Sequence, residues 1–148
     1  MWSVLVTGVS TGIGEAIAEE LLNSEYIVIG SVRNLDDAKN LKKKYEDSFF
    51  PVKFDVTKKD EIEAGKKEVE KILSDNKSYL SCVINNAGIA LGGPVRYLDV
   101  DIFRKQFEVN FFGLIEVTKC FMDLLIDSNK YKMKNKIINI GSISGKRS

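Results

Sequence analysis

Val4-Leu5-Val6-Thr7-Gly8-Val9-Ser10-Thr11-Gly12-Ile13-Gly14 is the stretch on which the fold turns. Three aliphatic residues in a row make a short buried strand. Three glycines within the next eight residues make a turn that needs backbone freedom other residues lack. Beyond it Ile13, Ile17 and Leu21 recur at i, i+4 and i+8, which predicts a helix with an apolar stripe. A strand, a glycine turn and a helix in that order bring unshielded N–H groups and the positive end of the helix macrodipole to one point, where a pyrophosphate fits. In this reading Gly8 permits the tight turn and Gly12 lets phosphates approach the backbone. Gly14 lets helix and strand pack closely, and Ser10, Thr11 and Ile13 complete the cradle.

Working outward, apolar runs of strand length alternate with segments of helical period, the signature of βαβ units on a parallel sheet. Tyr26 to Ile29 is the second strand. Asn34, three residues before Asp37, resembles a helix cap, and Leu35, Ala38, Leu41 and Tyr45 form the buried stripe behind it. Phe50 to Phe54 is the third strand, and Pro51 places it at an edge, because proline cannot donate to a ladder. Asp60 to Leu73 reads as a surface helix with Ile62, Val69, Ile72 and Leu73 inward. Leu80 to Ile84 and Ile137 to Ile140 are the fourth and fifth strands. Between them the helix from Asp99 to Ile126 carries two apolar stripes. One is Val100, Phe103, Phe107, Phe111, Leu114, Phe121 and Leu125; the other is Ile102, Val109, Phe112, Val117 and Leu124. A helix apolar on two sides needs two covers. Asp127 to Asn135, with Lys130, Lys132 and Lys134, reads as a mobile basic loop. The expected architecture is one α/β domain over 1–148, a Rossmann-type αβα sandwich with strand order 3-2-1-4-5.

Composition excludes several classes of function. The chain of 148 residues is 44% hydrophobic and 29% charged, with 22 Lys+Arg against 21 Asp+Glu, so no global field favours nucleic acid or a membrane surface. Glu116, Lys119 and Asp123 interrupt the most apolar stretch, and no membrane span is expected. The first residues run straight into a strand without a basic flank or a cleavage site, so a cytoplasmic protein is expected. Cys82 and Cys120, the two cysteines, lack the number and spacing of a disulfide framework or zinc site. Both are read as buried reduced side chains, and no metal is expected.

The glycine spacing, G-x-x-x-G-x-G, resembles that of the classical short-chain dehydrogenase/reductase family. Four later landmarks strengthen the resemblance: Asp55-Val56 after the third strand, Asn85-Asn86-Ala87-Gly88 after the fourth, Asn110 in the long helix, and Ser142 in Asn139-Ile140-Gly141-Ser142-Ile143-Ser144-Gly145 after the fifth. The resemblance implies that Asp55 and Val56 contact an adenine and that Asn86, Ala87 and Gly88 line the nicotinamide-ribose side. It also implies that Ser142 bonds a substrate carbonyl and that Asn110, read as a buried amide, orders a water in a proton relay. Considered alone, Ser142 is a turn serine, and Asn86-Ala87-Gly88 is an ordinary strand-end turn.

Cofactor choice is read after the second strand, where the adenosine ribose lies. Val32 stands where an acidic residue would favour NAD. Arg33 follows with a guanidinium that can grip a 2′-phosphate, and Asn34 lies next to it. NADP is expected, with NAD less favoured, although Thr11 stands where many NADP-dependent members carry a second basic residue.

The family's general acid–base is a Tyr with a Lys four residues on. Counting four from Tyr26, Tyr45, Tyr79, Tyr97 and Tyr131 gives Gly30, Phe49, Val83, Asp101 and Asn135. Two expectations therefore stand side by side. One is an NADP(H)-dependent oxidoreductase interconverting a small-molecule carbonyl and alcohol, represented by its cofactor-binding portion and truncated before that motif. The other is a catalytically inactive dinucleotide-binding or interaction protein. In either case a homo-oligomer is expected, through the Asp99 to Ile126 helix or the edge of the fifth strand.

Overall fold

In the computed structural model, which describes residues 1–128 and 134–143, each strand runs parallel to its neighbours. β1 (Trp2–Thr7), β2 (Ile27–Val32), β3 (Phe49–Lys53), β4 (Tyr79–Asn85) and β5 (Lys136–Asn139) form one sheet in the order β3-β2-β1-β4-β5. The expected order is the observed one, with Pro51 on the edge strand β3. The helices are α1 (Gly12–Asn23), α2 (Lys39–Lys44), α3 (Lys59–Asp75), α4 (Val100–Phe107) and α5 (Leu114–Ser128). Residues 129–133 and 144–148 lie outside the described part. That takes in Lys130, Tyr131 and Lys132 of the expected basic loop, and Ser144 and Gly145 of the last motif.

Two apolar layers sandwich the sheet because its strands alternate. Val4 and Val6 of β1 face one way and pack with Val28, Phe49 and the helical Ala18, Leu22 and Leu41. Leu5 faces the other way and packs with Ile29, Val52, Phe54, Ile62, Val69, Val117 and Phe121. Phe49, Phe54 and Phe121 are fully buried, each contributing about 1.5–3 kcal/mol of hydrophobic stabilisation.

The packing corrects four expectations. In α1 the buried positions are Gly14, Ala18 and Leu22, one residue on from the expected stripe, and Ile13 is 64% exposed. The close approach of Gly14 to the Gly8 carbonyl sets that phase, leaving Ile17 and Leu21 on the flank. The helix expected after Asn34 is split into a 3₁₀ turn, Leu35–Ala38, and α2, with Leu35 exposed. Asn34 does cap it, accepting from the Asp36 N–H at 3.2 Å.

The long helix is the third correction. Asp99 caps α4 through the Asp101 N–H at 2.9 Å, but Glu108–Gly113 is π-helical. The wider turn shifts the phase, so the two stripes do not stay continuous. Of the two stripes, Val117, Phe121 and Leu125 are the buried members, while Val100, Phe107, Phe111 and Phe112 are exposed. Close contact explains the distortion: a Cβ on Gly113 would lie 2.8 Å from Val56 Cγ2 and 2.9 Å from its carbonyl oxygen. Finally, of the two thiols Cys82 is buried and Cys120 only half-buried; both are free.

Candidate functional site

The turn after β1 is built as the glycines predict. Gly8 and Gly12 hold φ of 72° and 66°, the left-handed region that glycine enters without steric cost. The N–H groups of Gly8 and Val9 donate to the Ser31 carbonyl at 3.0 and 3.1 Å, fixing the turn to β2. A Cβ on Gly12 would meet nothing within 4 Å, so its backbone faces open space. Thr11, the N-cap of α1, makes no side-chain capping bond. The first turn of α1 therefore presents N–H donors that no cap has claimed, which is the local requirement for holding an anion.

Gly14 and Asn86 close the turn from behind. The Asn86 Nδ2 donates to the carbonyls of Thr7 and Gly8, both at 3.0 Å. In return the Thr7 Oγ1, fully buried, accepts from the N–H groups of Asn86 and Ala87 at 3.0 Å each. Asn86 is thus a brace between the ends of β1 and β4. Sequence reasoning missed Thr7, whose hydroxyl has no signal beyond its place before Gly8.

A cleft of 800 Å³ opens over the carboxyl ends of the strands. Gly8, Ser10, Thr11, Ile13 and Gly14 line one part of it, Arg33, Asp55 and Val56 a second, and Asn86, Ala87 and Gly88 a third. Eleven sequence-predicted residues thus converge, although they come from four separate strand ends. Gly12 and Asn34 flank this wall without lining it. The wall also contains Ser31, Thr57 and Ile89, and, from α4 and the π segment, Lys105, Glu108 and Val109, none of which the motifs single out. Val32 ends β2 buried, so its side chain supplies no polar group there.

Charge in the cleft is arranged around Asp55. Burial raises its carboxyl pKa, but the Thr57 backbone N–H and hydroxyl, at 2.9 and 2.8 Å, together with the charges of Arg33 and Lys58, outweigh burial and hold it below the ordinary carboxylate range. Arg33 is exposed and takes part in none of the ion pairs found among the described residues. Its charge acts on Asp55 across the cleft without a direct ion pair.

Asn110 and Ser142 do not line this cleft. Asn110 lies in the π segment and is exposed rather than buried, because the helix turns its inner face to the sheet at Val109 and Gly113 instead. Both ends of its amide are used: Oδ1 accepts from Ile89 N–H and Nδ2 donates to Ile89 O, each at 2.8 Å. It pins the chain just past Gly88. Ser142 is exposed, three residues past the end of β5. Asn85 anchors that strand: its carbonyl accepts from Ile140 N–H at 2.9 Å, and its Nδ2 donates to Asn139 Oδ1 at 2.9 Å and Thr118 Oγ1 at 3.0 Å. Among the described residues no group of three or more His, Cys, Asp or Glu could hold a metal, and no helix is long and apolar enough to cross a membrane.

A family model described as short chain dehydrogenase matches residues 3–148. The NADPH-dependent 3-dehydrocapnine reductase of Ornithobacterium rhinotracheale is 38% identical over 141 residues, which cover 95% of this chain and 49% of that protein. The NADPH-dependent 1-acyldihydroxyacetone phosphate reductase of Schizosaccharomyces pombe is 33% identical, over 95% of this chain and 44% of that one. Among solved structures, the closed form of serine dehydrogenase complexed with NADP+ superposes with a TM-score of 0.81 at 28% identity, covering 97% of this chain and 55% of the other. This chain spans about half the length of the relatives it matches.

Proposed function

This chain belongs to the short-chain dehydrogenase family, and from that premise we propose that residues 1–148 form a dinucleotide-binding domain whose cleft holds NADP(H), and NAD(H) less well. The reaction proposed for the enzyme is interconversion of a carbonyl and an alcohol on a small molecule. The observation that carries the reading is the uncapped first turn of α1 above Gly12, with Arg33, which makes no ion pair among the described residues, at the neighbouring strand end. The donors suit a pyrophosphate and the guanidinium suits a 2′-phosphate.

The roles of the walls follow. Asp55 and Val56 take the adenine, while Ala87 and Gly88 border the nicotinamide ribose, held in place by Asn86. Arg33 and the adjoining Asn34 face the ribose phosphate. Asn110, whose amide braces Ile89 with one bond at each end, keeps an N–H and a lone pair with which to order a water. Ser142, on the turn after β5, is placed to bond a carbonyl oxygen. NADP(H), when bound, supplies the hydride. The family's acid–base pair has no counterpart in residues 1–148, so binding is proposed for these residues by themselves and turnover for an enzyme that includes such a pair.

Calorimetric titration tests the assignment. The chain is expected to bind NADPH at least about tenfold more tightly than NADH, as one charge-assisted contact implies, and Arg33→Asp is expected to abolish or reverse that order. Equal affinities in the unmodified chain would sink it.

A further inference from the structure

Glu61 is the third residue of α3, where a glutamate ordinarily reaches back to the N-cap N–H. Here the N-cap N–H, that of Lys58, is already given to the Asp55 carbonyl at 3.0 Å. Glu61 passes it by. Its Oε2 accepts instead from the backbone N–H of Asp55 at 2.9 Å, while its Oε1 holds Lys58 Nζ at 2.9 Å. The Lys58 ammonium bonded to Glu61 and the Thr57 donors on Asp55 hold both carboxyls below the ordinary carboxylate range, and the lysine offsets the repulsion between them.

Asp55 is thereby gripped on both sides of its Cα. Glu61 holds its backbone nitrogen, and Thr57 holds its Oδ1 through two donors. The next residue, Val56, is pressed against Gly113. Oδ2 of Asp55 has no hydrogen-bond partner among the described residues, and Asp55 lines the cleft. A carboxylate oxygen so fixed accepts from a donor and repels an acceptor. Adenine offers an exocyclic amino group; hypoxanthine carries a carbonyl at the same ring position.

We propose that Glu61 is a positioning residue for base recognition: by fixing the Asp55 backbone it aims the Asp55 carboxylate at the amino group of the cofactor's adenine. This rests on the reading that the cleft holds NADP(H). Glu61 touches no cofactor atom itself; it acts through Asp55.

The test compares NADP+ with its deamino analogue, in which hypoxanthine replaces adenine, by calorimetry on the full chain and on Glu61→Ala and Glu61→Gln. The unmodified chain should prefer adenine by about tenfold or more, the range of a hydrogen bond to a charged group. In Glu61→Ala the preference should fall to within about threefold, with affinity for the deamino cofactor unchanged. Glu61→Gln keeps a carbonyl oxygen that accepts the Asp55 N–H, and should retain the preference. The same preference in all three proteins overturns the proposal, and so does an equal loss of both affinities in Glu61→Ala, or a Glu61→Gln that behaves like the alanine variant. An unmodified chain that binds neither cofactor removes the proposed function, and this inference with it.

Discussion

Gly14→Ala and Gly12→Ala look equivalent in a glycine motif, but the structure predicts different consequences. A Cβ on Gly14 would lie 2.1 Å from the Gly8 carbonyl oxygen and 2.4 Å from Asn86 Nδ2. Neither neighbour can swing away, because the first is backbone and the second is tied to Thr7 O and Gly8 O. Overpacking costs about 1–3 kcal/mol, with a rigid backbone at the upper end. Displacing Asn86 gives up two hydrogen bonds of about 0.5–1.5 kcal/mol each. Alanine returns about 1 kcal/mol of helix propensity, so the net loss is about 2–5 kcal/mol. That is a large part of a typical domain stability of about 5–15 kcal/mol. Gly12→Ala meets no atom within 4 Å and pays only for its φ of 66°, about 1–2 kcal/mol. Its methyl would stand beside the cleft wall that Gly12 flanks, at the first turn of α1. Urea unfolding followed by circular dichroism should therefore rank Gly14→Ala well below Gly12→Ala in stability. Cofactor titration of the folded proteins should show Gly12→Ala impaired. A Gly14→Ala protein within about 1 kcal/mol of the unmodified chain would refute the close-packing argument.

Two further outcomes are expected. Phe107, Phe111, Phe112 and Met122 on the α4–α5 surface, and Ile137, Ile138 and Ile140 on the β5 side, are all 37% or more exposed, so a second copy of the chain is the expected cover. Light scattering at micromolar concentration should find dimers or larger species, reduced by Phe111→Asp or Ile138→Lys; a well-behaved unmodified monomer counts against it. The Asp55 carboxyl is depressed in the folded state, so its stabilisation is present above the unfolded value near pH 4 and is lost as pH falls through the folded one. The stability gap between the unmodified chain and Asp55→Asn should thus be wide at pH 7 and narrow at pH 3 in urea titrations, and a gap of constant width would contradict the sign.

Strand order was legible because each βα unit announces itself locally: an aliphatic run, a turn, then a helical period. Pro51 marked β3 as an edge strand by the donor it lacks. Gly8, Gly88 and Asp55 could be placed at the cleft for a related reason. A parallel sheet delivers the end of every strand to one rim, so residues just past a strand converge there whatever their separation along the chain.

Contacts between elements were not legible. Asn110 looked like a buried amide until the π segment turned it outward onto Ile89, and that segment owes its shape to the meeting of Gly113 with Val56, 57 residues earlier. The inward face of α1 shifted by one residue because Gly14 meets Gly8 and Asn86. Thr7 and Glu61 carry no motif. Their roles arise because one hydroxyl accepts two N–H groups from a strand end 79 and 80 residues away, and one carboxylate passes over a satisfied N-cap to reach Asp55. Periodicity and turn chemistry depend on neighbours a few residues apart, and the sequence by itself determined what they govern. Hydrogen-bond partners and helix phase depend on which atoms compete for the same space across elements, and only the tertiary structure decided those.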